Sequence, residues 1–147
     1  MPEANMPILL NTTPVTGSPP DKVQPAAARR RILVVDDNTD GVASLSMLLA
    51  TVGHEMATAF DGFEAISVAR AFKPDIVLLD LDLPKLHGYE ACRRIRGEPW
   101  GKSMVLVAVT GLGGDDDRMK SLEAGFDMHL VKPVSAETLM VVLAAAP

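Results

Sequence analysis

The sequence predicts a doubly wound α/β fold, a five-stranded parallel sheet with helices on both faces. Three observations carry that prediction. From residue 29 to residue 147, strand-like runs alternate with helical periods five times. The runs 32–35, 76–79 and 104–109 are apolar throughout, as strands buried on both faces are. Buried strands that alternate with helices imply right-handed crossovers around a parallel sheet.

Each element has its own signal. Residues 32–35 are Ile-Leu-Val-Val, short and β-branched, and Asp36 and Asp37 end the run. Val42, Leu45, Leu48, Leu49 and Val52 then recur at helical spacing, and Gly53 closes that helix as its C-terminal cap. Residues 55–60 form a weaker strand, ended by Asp61-Gly62. The helix over 63–72 stops at Lys73-Pro74, because a residue before proline is pushed out of the helical region. The second wholly apolar strand, 76–79, ends at Asp80, and a loop with Pro84 and Gly88 leads to a helix over 89–96. The third, 104–109, ends at Thr110. A glycine-rich loop and a polar helix over 115–124 follow. Residues 128–131 are the last strand, ended by Lys132-Pro133. Ser135 caps a final helix to about Ala145, with Val134 placed to staple onto Leu139.

Composition bounds the function. The chain has 147 residues, 48% hydrophobic and 22% charged, enough for one domain with its own core. Its single cysteine, Cys92, cannot form an internal disulfide, which fits a reducing, cytoplasmic setting. The net charge of −5 offers no basic surplus for a phosphate backbone, which argues against nucleic acid as a partner. The longest apolar run, 139–146, is far short of the roughly 18 residues of a membrane span. Residues 1–28 hold six of the eleven prolines and only three charged residues. They are expected to be a disordered leader or linker, with the folded domain over 29–147.

The strand ends carry the chemistry. In doubly wound folds, ligands bind beyond the carboxyl ends of the strands. Here those ends carry Asp36, Asp37, Asp80, Thr110 and Lys132. If the first and third strands are neighbours, three carboxylates share one crevice. Two like charges about 4 Å apart repel by roughly 4 kcal/mol at an effective dielectric near 20. A hard divalent cation, Mg²⁺ or Mn²⁺, resolves that repulsion. The hydroxyl of Thr110 and the ammonium of Lys132 suit a phosphoryl group. The chemistry offered is phosphoryl transfer, with Asp80, central in the crevice, as nucleophile and acceptor. Taken singly, each residue has a structural explanation as a turn former, cap or solvated side chain. The ordered set of five does not.

These stretches, ILVVDDN, IVLLDLDLPKLHGYE, VLVAVTG and EAGFDMHLVKP, resemble the receiver domain of bacterial two-component response regulators over residues 30–146. The resemblance implies a flavodoxin-like (βα)₅ fold with strand order 2-1-3-4-5. It implies that Asp80 takes a phosphoryl group from a phosphohistidine on a histidine kinase or histidine phosphotransfer protein. Asp36, Asp37, Asp80 and the backbone carbonyl of Asp82 would hold Mg²⁺. Lys132 would pair with the phosphoryl oxygens, Thr110 would move to hydrogen-bond them, and the Lys132-Pro133 bond would be cis. His129 occupies the switch position where the family usually carries Tyr or Phe, so the switch ring here is smaller, polar and titratable. Leu112 offers no hydrogen bond to an attacking water, which suggests a long-lived phosphoaspartate.

Such a domain is not a turnover enzyme. With a leader before it and little after its last helix, it is expected to signal by protein contact, without an output domain. The alternative is the carboxyl-terminal receiver segment of a hybrid histidine kinase. A reading from another class rests on Asp80-Leu81-Asp82, which resembles the Asp-x-Asp motif of haloacid-dehalogenase-like phosphatases. That motif normally opens the chain, whereas Asp36-Asp37 precedes it here. On the last helix, Leu139, Val142 and Leu143 form the core face. Met140, Val141 and Ala144 make the opposite side apolar too, which predicts a homodimer or partner contact. His54, His87 and His129 lie in separate segments and match no zinc spacing. Trp100 is expected to lie as a lid over the sheet edge.

Overall fold

A computed structural model describes residues 29–111 and 115–146, the side chains of 115–117 excepted. The expected leader, 1–28, and Leu112 lie outside the described residues. The strands are β1 (Arg31–Val35), β2 (Glu55–Ala59), β3 (Ile76–Asp80), β4 (Val105–Thr110) and β5 (Met128–Val131). The helices are α1 (Thr39–Thr51), α2 (Gly62–Phe72), α3 (Gly88–Gly97), α4 (Asp115–Ala124) and α5 (Ala136–Ala145). All strand pairs are parallel and the order is β2-β1-β3-β4-β5, so the fold is the flavodoxin-like one expected. The order reverses between β1 and β3, which places Asp36 and Asp80 side by side at the switch point.

Strand alternation divides the core into two layers. Leu33, Val35, Val77, Leu79, Leu106 and Ala108 face the layer that also holds Ala65, Ala91, Cys92 and Ile95 of α2 and α3. Ile32, Val34, Ile76, Leu78, Val105 and Val107 face Val42 and Leu49 of α1 and Leu139, Val142 and Leu143 of α5. The apolar face predicted for the last helix is therefore its core face. Val134 packs against the same cluster as Leu139. Among the described residues no helix is long and apolar enough to cross a membrane.

Helix ends are set by local chemistry. Asn38 caps α1, its side-chain oxygen accepting from the Gly41 N–H at 3.0 Å. Beyond α1, Gly53 takes a φ of +105°, the left-handed turn that ends a helix on glycine. At α2, Asp61 accepts from the Glu64 N–H and Glu64 reaches back to the Phe60 N–H, each at 2.8 Å, a reciprocal cap. Ser135 caps α5 as predicted, accepting from the Thr138 N–H at 3.0 Å.

Most boundaries shift by a residue from the sequence reading, and three of these shifts bear on the site. The ladder carries β3 through Asp80 and β4 through Thr110, so both are the last strand residues. Asp80 pairs with Val109, and the Leu81 N–H donates to the Val109 carbonyl at 3.1 Å. The third helix starts at Gly88, capped by His87, whose imidazole accepts from the Tyr89 N–H at 3.2 Å. Trp100 sits in a one-turn 3₁₀ helix, Pro99–Gly101, and packs on the α2–α3 layer. It lines a surface pocket with Pro74, Asp75, Met104 and Val105, at the start of the inner strands β3 and β4 rather than over an edge strand.

Cys92 is wholly buried on α3, its thiol directed at the Ala124 carbonyl at 3.3 Å. Burial pushes that thiol up to about 12, so it is protonated throughout the physiological range. The folded protein is expected to leave Cys92 unmodified by iodoacetamide at pH 8, with full alkylation in denaturant, as read by intact mass. Comparable labelling in both states would contradict this burial.

Candidate functional site

The site lies at the carboxyl ends of β1, β3, β4 and β5. Asp36 and Asp37 follow β1, Asp80 ends β3, Thr110 ends β4 and Lys132 follows β5. The carboxylates of Asp36, Asp37 and Asp80 each offer an oxygen, and these oxygens lie within 4.8 Å of one another. Asp80 is only 4% exposed, whereas Asp37 is open to solvent. The Lys132 ammonium bridges the cluster, 3.0 Å from Asp36 Oδ2 and 3.2 Å from Asp80 Oδ2. Thr110 is buried beside it, and the Lys132 N–H donates to the Thr110 carbonyl at 2.7 Å. The Lys132-Pro133 peptide is cis.

Local structure aims these groups. Asp36 Oδ1 accepts from the Asn38 N–H at 3.0 Å, and Asp80 Oδ1 accepts from the Asp82 N–H at 3.2 Å. Each carboxylate thus spends one oxygen on the following turn and leaves the other for Lys132. The loop after Asp80 folds back closely, with the Gly88 N–H donating to the Leu81 carbonyl at 2.9 Å. A Cβ at Gly88 would lie 2.7 Å from the Asp80 carbonyl oxygen, so only glycine fits there. Asp82 itself is exposed. His129 is half-buried on β5, opposite Ala108 and two residues before the Thr110–Val131 pair that ends the ladder.

The electrostatics are uneven. Burial pushes the Asp80 carboxyl up, and the neighbouring Asp36 charge adds to this. The Asp82 N–H and Lys132 only partly offset them, so its pKa lies above the ordinary 3.8. Burial also acts on Asp36, but the Asn38 N–H and the Lys132 ammonium outweigh it and hold that carboxyl below 3.8. Burial alone would lower Lys132. The hydrogen bond to Asp36 and the charge of Asp80 more than reverse this, so the ammonium stays charged.

These directions fix a pH dependence. The folded state binds the Asp80 proton more tightly than the unfolded chain does, so ionised Asp80 costs stability above its folded pKa. That cost is relieved as pH falls through the folded pKa toward 3.8. Asp36 has the opposite sign: its contribution is complete above 3.8 and is lost as pH falls through its lower folded value. In EDTA at pH 7, Asp80→Asn is therefore expected to be more stable than wild type, by on the order of 1 kcal/mol. The gap should narrow as pH approaches 3.8. Melting curves across that range check it, and a variant less stable than wild type at neutral pH would contradict it.

Beside the carboxylates, an open groove of about 680 Å³ runs between α1 and the β5–α5 loop. Val34, Val42, Leu45 and Val109 line it, and Asp36 and Lys132 stand at its polar end.

Comparison with known proteins agrees with this geometry. The family model for the response regulator receiver domain matches residues 32–144. The chain is 38% identical over 111 residues to a probable transcriptional regulator, ycf27, of Cyanophora paradoxa, covering 76% of this chain and 45% of that one. It is 38% identical over 104 residues to the response regulator PleD of Caulobacter vibrioides, covering 71% of this chain and 23% of that one. The chain thus spans less than half the length of these curated relatives. Among solved structures, the chemotaxis protein CheY4 of Vibrio cholerae aligns with a TM-score of 0.77 at 28% identity, covering 82% of this chain and 100% of that one. The receiver domain of a sensor histidine kinase from Pseudomonas aeruginosa aligns with a TM-score of 0.74 at 31% identity, covering 81% and 98%. That structure holds a magnesium ion coordinated in its active-site cleft. Sequence order, sheet order and the acidic cluster agree: this chain belongs to the response regulator receiver domain family of two-component signalling.

Proposed function

We propose that the domain accepts a phosphoryl group on Asp80 from a phosphohistidine of a histidine kinase or histidine phosphotransfer protein, with Mg²⁺ held by Asp36, Asp37, Asp80 and the Asp82 carbonyl. One observation carries this reading: a buried carboxylate of raised pKa at a strand end, bridged by Lys132 to a second carboxylate. The donor set fits the metal. Three carboxylates within 4.8 Å are hard oxygen ligands, and their mutual repulsion favours a divalent cation. When bound, the ion neutralises charge that builds on the phosphoryl oxygens.

The chain's own residues do the rest. An Asp80 oxygen attacks phosphorus, an O–P bond forms, and the P–N bond breaks with its electron pair left on the ring nitrogen. A donor ring protonated on its other nitrogen departs as neutral imidazole. Lys132, held within reach of Asp80, exchanges a carboxylate partner for a phosphoryl oxygen. Thr110 supplies a hydroxyl from the neighbouring strand end, and His129 takes the place of the aromatic switch residue. The product is an acyl phosphate on a signalling module rather than the intermediate of a turnover enzyme. The apolar groove beside Asp36 offers the donor protein a surface from which its histidine reaches Asp80.

Output is by protein contact. Val141 of α5 is 68% exposed, and Met119 and Leu122 of α4 and Val131 of β5 are exposed too. Val141, with Met140 and Ala144 of the same helix, offers the surface for a second copy or a partner. The folded unit acts either alone or as the receiver segment of a hybrid kinase, inside the cell, where both donors reside.

The test uses phosphoramidate, a P–N donor, against a phosphomonoester. Transfer from the first, lost on chelation and weakened by Asp36→Asn or Asp37→Asn, supports this reading. Sustained hydrolysis of the phosphomonoester would restore the phosphatase reading instead.

A further inference from the structure

The chain joins the fold between two helices. The Arg30 N–H donates to His54 Nδ1 at 3.1 Å, just beyond α1. The Arg30 guanidinium donates to the Ala146 carbonyl at 2.7 Å, just beyond α5. Residues 1–28 are therefore attached between the carboxyl ends of α1 and α5, on the layer of the sheet that carries the α1 groove. We propose that residues 6–10, Met-Pro-Ile-Leu-Leu, dock in the α1 groove of the same molecule and compete there with the phosphoryl donor protein.

Surface chemistry argues for an uncharged, apolar occupant. Leu45, Leu48 and Val52 fall on one stripe of α1, at i, i+3 and i+7. Leu48 is 40% exposed and Val52 44%. α1 carries no charged residue after Asp40, and α5 none after Glu137. Val134 lines the groove from the β5–α5 loop. The charged residues of the lining are Asp36 and Lys132, and they pair with each other at 3.0 Å. A charged segment would lose hydration against such a wall and find no partner on it. Residues 4–20 match this surface, since none of them is charged. Within residues 1–28, Ile8-Leu9-Leu10 is the one run of three large apolar side chains.

Tethering argues for this occupant over a free one. Residues 11–28 join the segment to the domain. Fully extended they span about 60 Å, and as a flexible chain roughly 20–25 Å. α1 has 13 residues and is about 20 Å long, so its whole length lies within reach. Such a linker holds the segment at an effective concentration on the order of a millimolar. A second copy or a free partner at micromolar concentration competes at about a thousandfold disadvantage. With the segment docked, the donor protein must displace it before its histidine reaches Asp80. That competition rests on the groove being the donor's surface; the docking itself does not.

A nitroxide on Thr12→Cys reads the docking, through amide broadening in the isotopically labelled full chain. Cys92 is buried, and intact mass verifies a single label. The amides of 41–52, 132 and 134 are expected to lose about half their intensity or more. Ile8→Asp/Leu9→Asp/Leu10→Asp should remove that broadening, and so should Leu48→Asp on the groove side. The triple variant lies outside the folded domain, so its melting temperature should equal that of wild type. A mixture of nitroxide-bearing chains with separate isotopically labelled ones should show no broadening. Broadening in the mixture would give the groove to a second copy instead. Unchanged broadening in the triple variant, or broadening centred on α3 or α4, would also overturn the docking. For the competition, the donor is a phosphorylated histidine phosphotransfer protein that serves the wild-type chain. It should phosphorylate the triple variant severalfold faster, while phosphoramidate, too small to need the groove, should serve both equally. Equal rates from the protein donor would overturn the competition. No transfer from either donor, with the broadening intact, would count against the phosphoryl reading and leave the docking standing.

Discussion

Lys132→Ala is expected to slow phosphoryl capture at Asp80 by about a hundredfold or more, the usual cost of removing one preorganised charge stabiliser. The reasoning is electrostatic. Lys132 is the cation 3.0 Å from Asp36 and 3.2 Å from Asp80, and it lowers the pKa of both. Without it, incoming phosphoryl oxygens meet two carboxylates with no ammonium to receive them. Lys132→Arg should recover only part of the rate, because a planar fork does not replace a compact point charge. The build-up of adduct from phosphoramidate at saturating Mg²⁺, followed by intact mass, gives the rates. A rate within threefold of wild type would remove Lys132 from the mechanism.

The largest stability effect is expected at Arg96, far from that chemistry. Its guanidinium donates to the Gly125 carbonyl at 2.8 Å, the Gly101 carbonyl at 3.1 Å and the Met104 carbonyl at 2.6 Å. It also pairs with Asp127 Oδ2 at 2.6 Å, and the same oxygen accepts from the Leu106 N–H at 2.9 Å. One side chain thus ties the end of α3, the 3₁₀ turn, the start of β4 and the α4–β5 turn. Arg96→Ala leaves several partly buried carbonyls and a carboxylate without their donor. The expected cost is about 3 kcal/mol. In a domain of this size that is a fall of about 10 °C in Tm. Arg96→Lys should restore less than half, since an ammonium cannot span the same set. A loss below about 1 kcal/mol in denaturant melts would show that these bonds are replaced by water.

The two results bear on what a sequence exposes. The central strands were legible because 32–35, 76–79 and 104–109 have no polar residue to place them elsewhere. Asp36, Asp37, Asp80, Thr110 and Lys132 were legible because the fold rule points to strand ends, and these residues terminate apolar runs. Their mutual distances were not, since Lys132 meets Asp36 across 96 residues. Arg96 gave no signal at all. Four of its five acceptors are backbone carbonyls, which every residue has. The cap of α3 was missed because His87 is not a usual N-cap type, although its imidazole accepts the Tyr89 N–H. Trp100 was misplaced because a hydrophobic loop residue carries no mark of which layer it joins.

The measurement that bears most directly on the account is intact mass after incubation with phosphoramidate, with and without Mg²⁺, on wild type and Asp80→Asn. The account predicts one added phosphoryl group on wild type, dependent on Mg²⁺, and none on a folded Asp80→Asn. An adduct that survives in Asp80→Asn, or no adduct on a folded wild type that binds Mg²⁺, would contradict the assignment of Asp80 as acceptor.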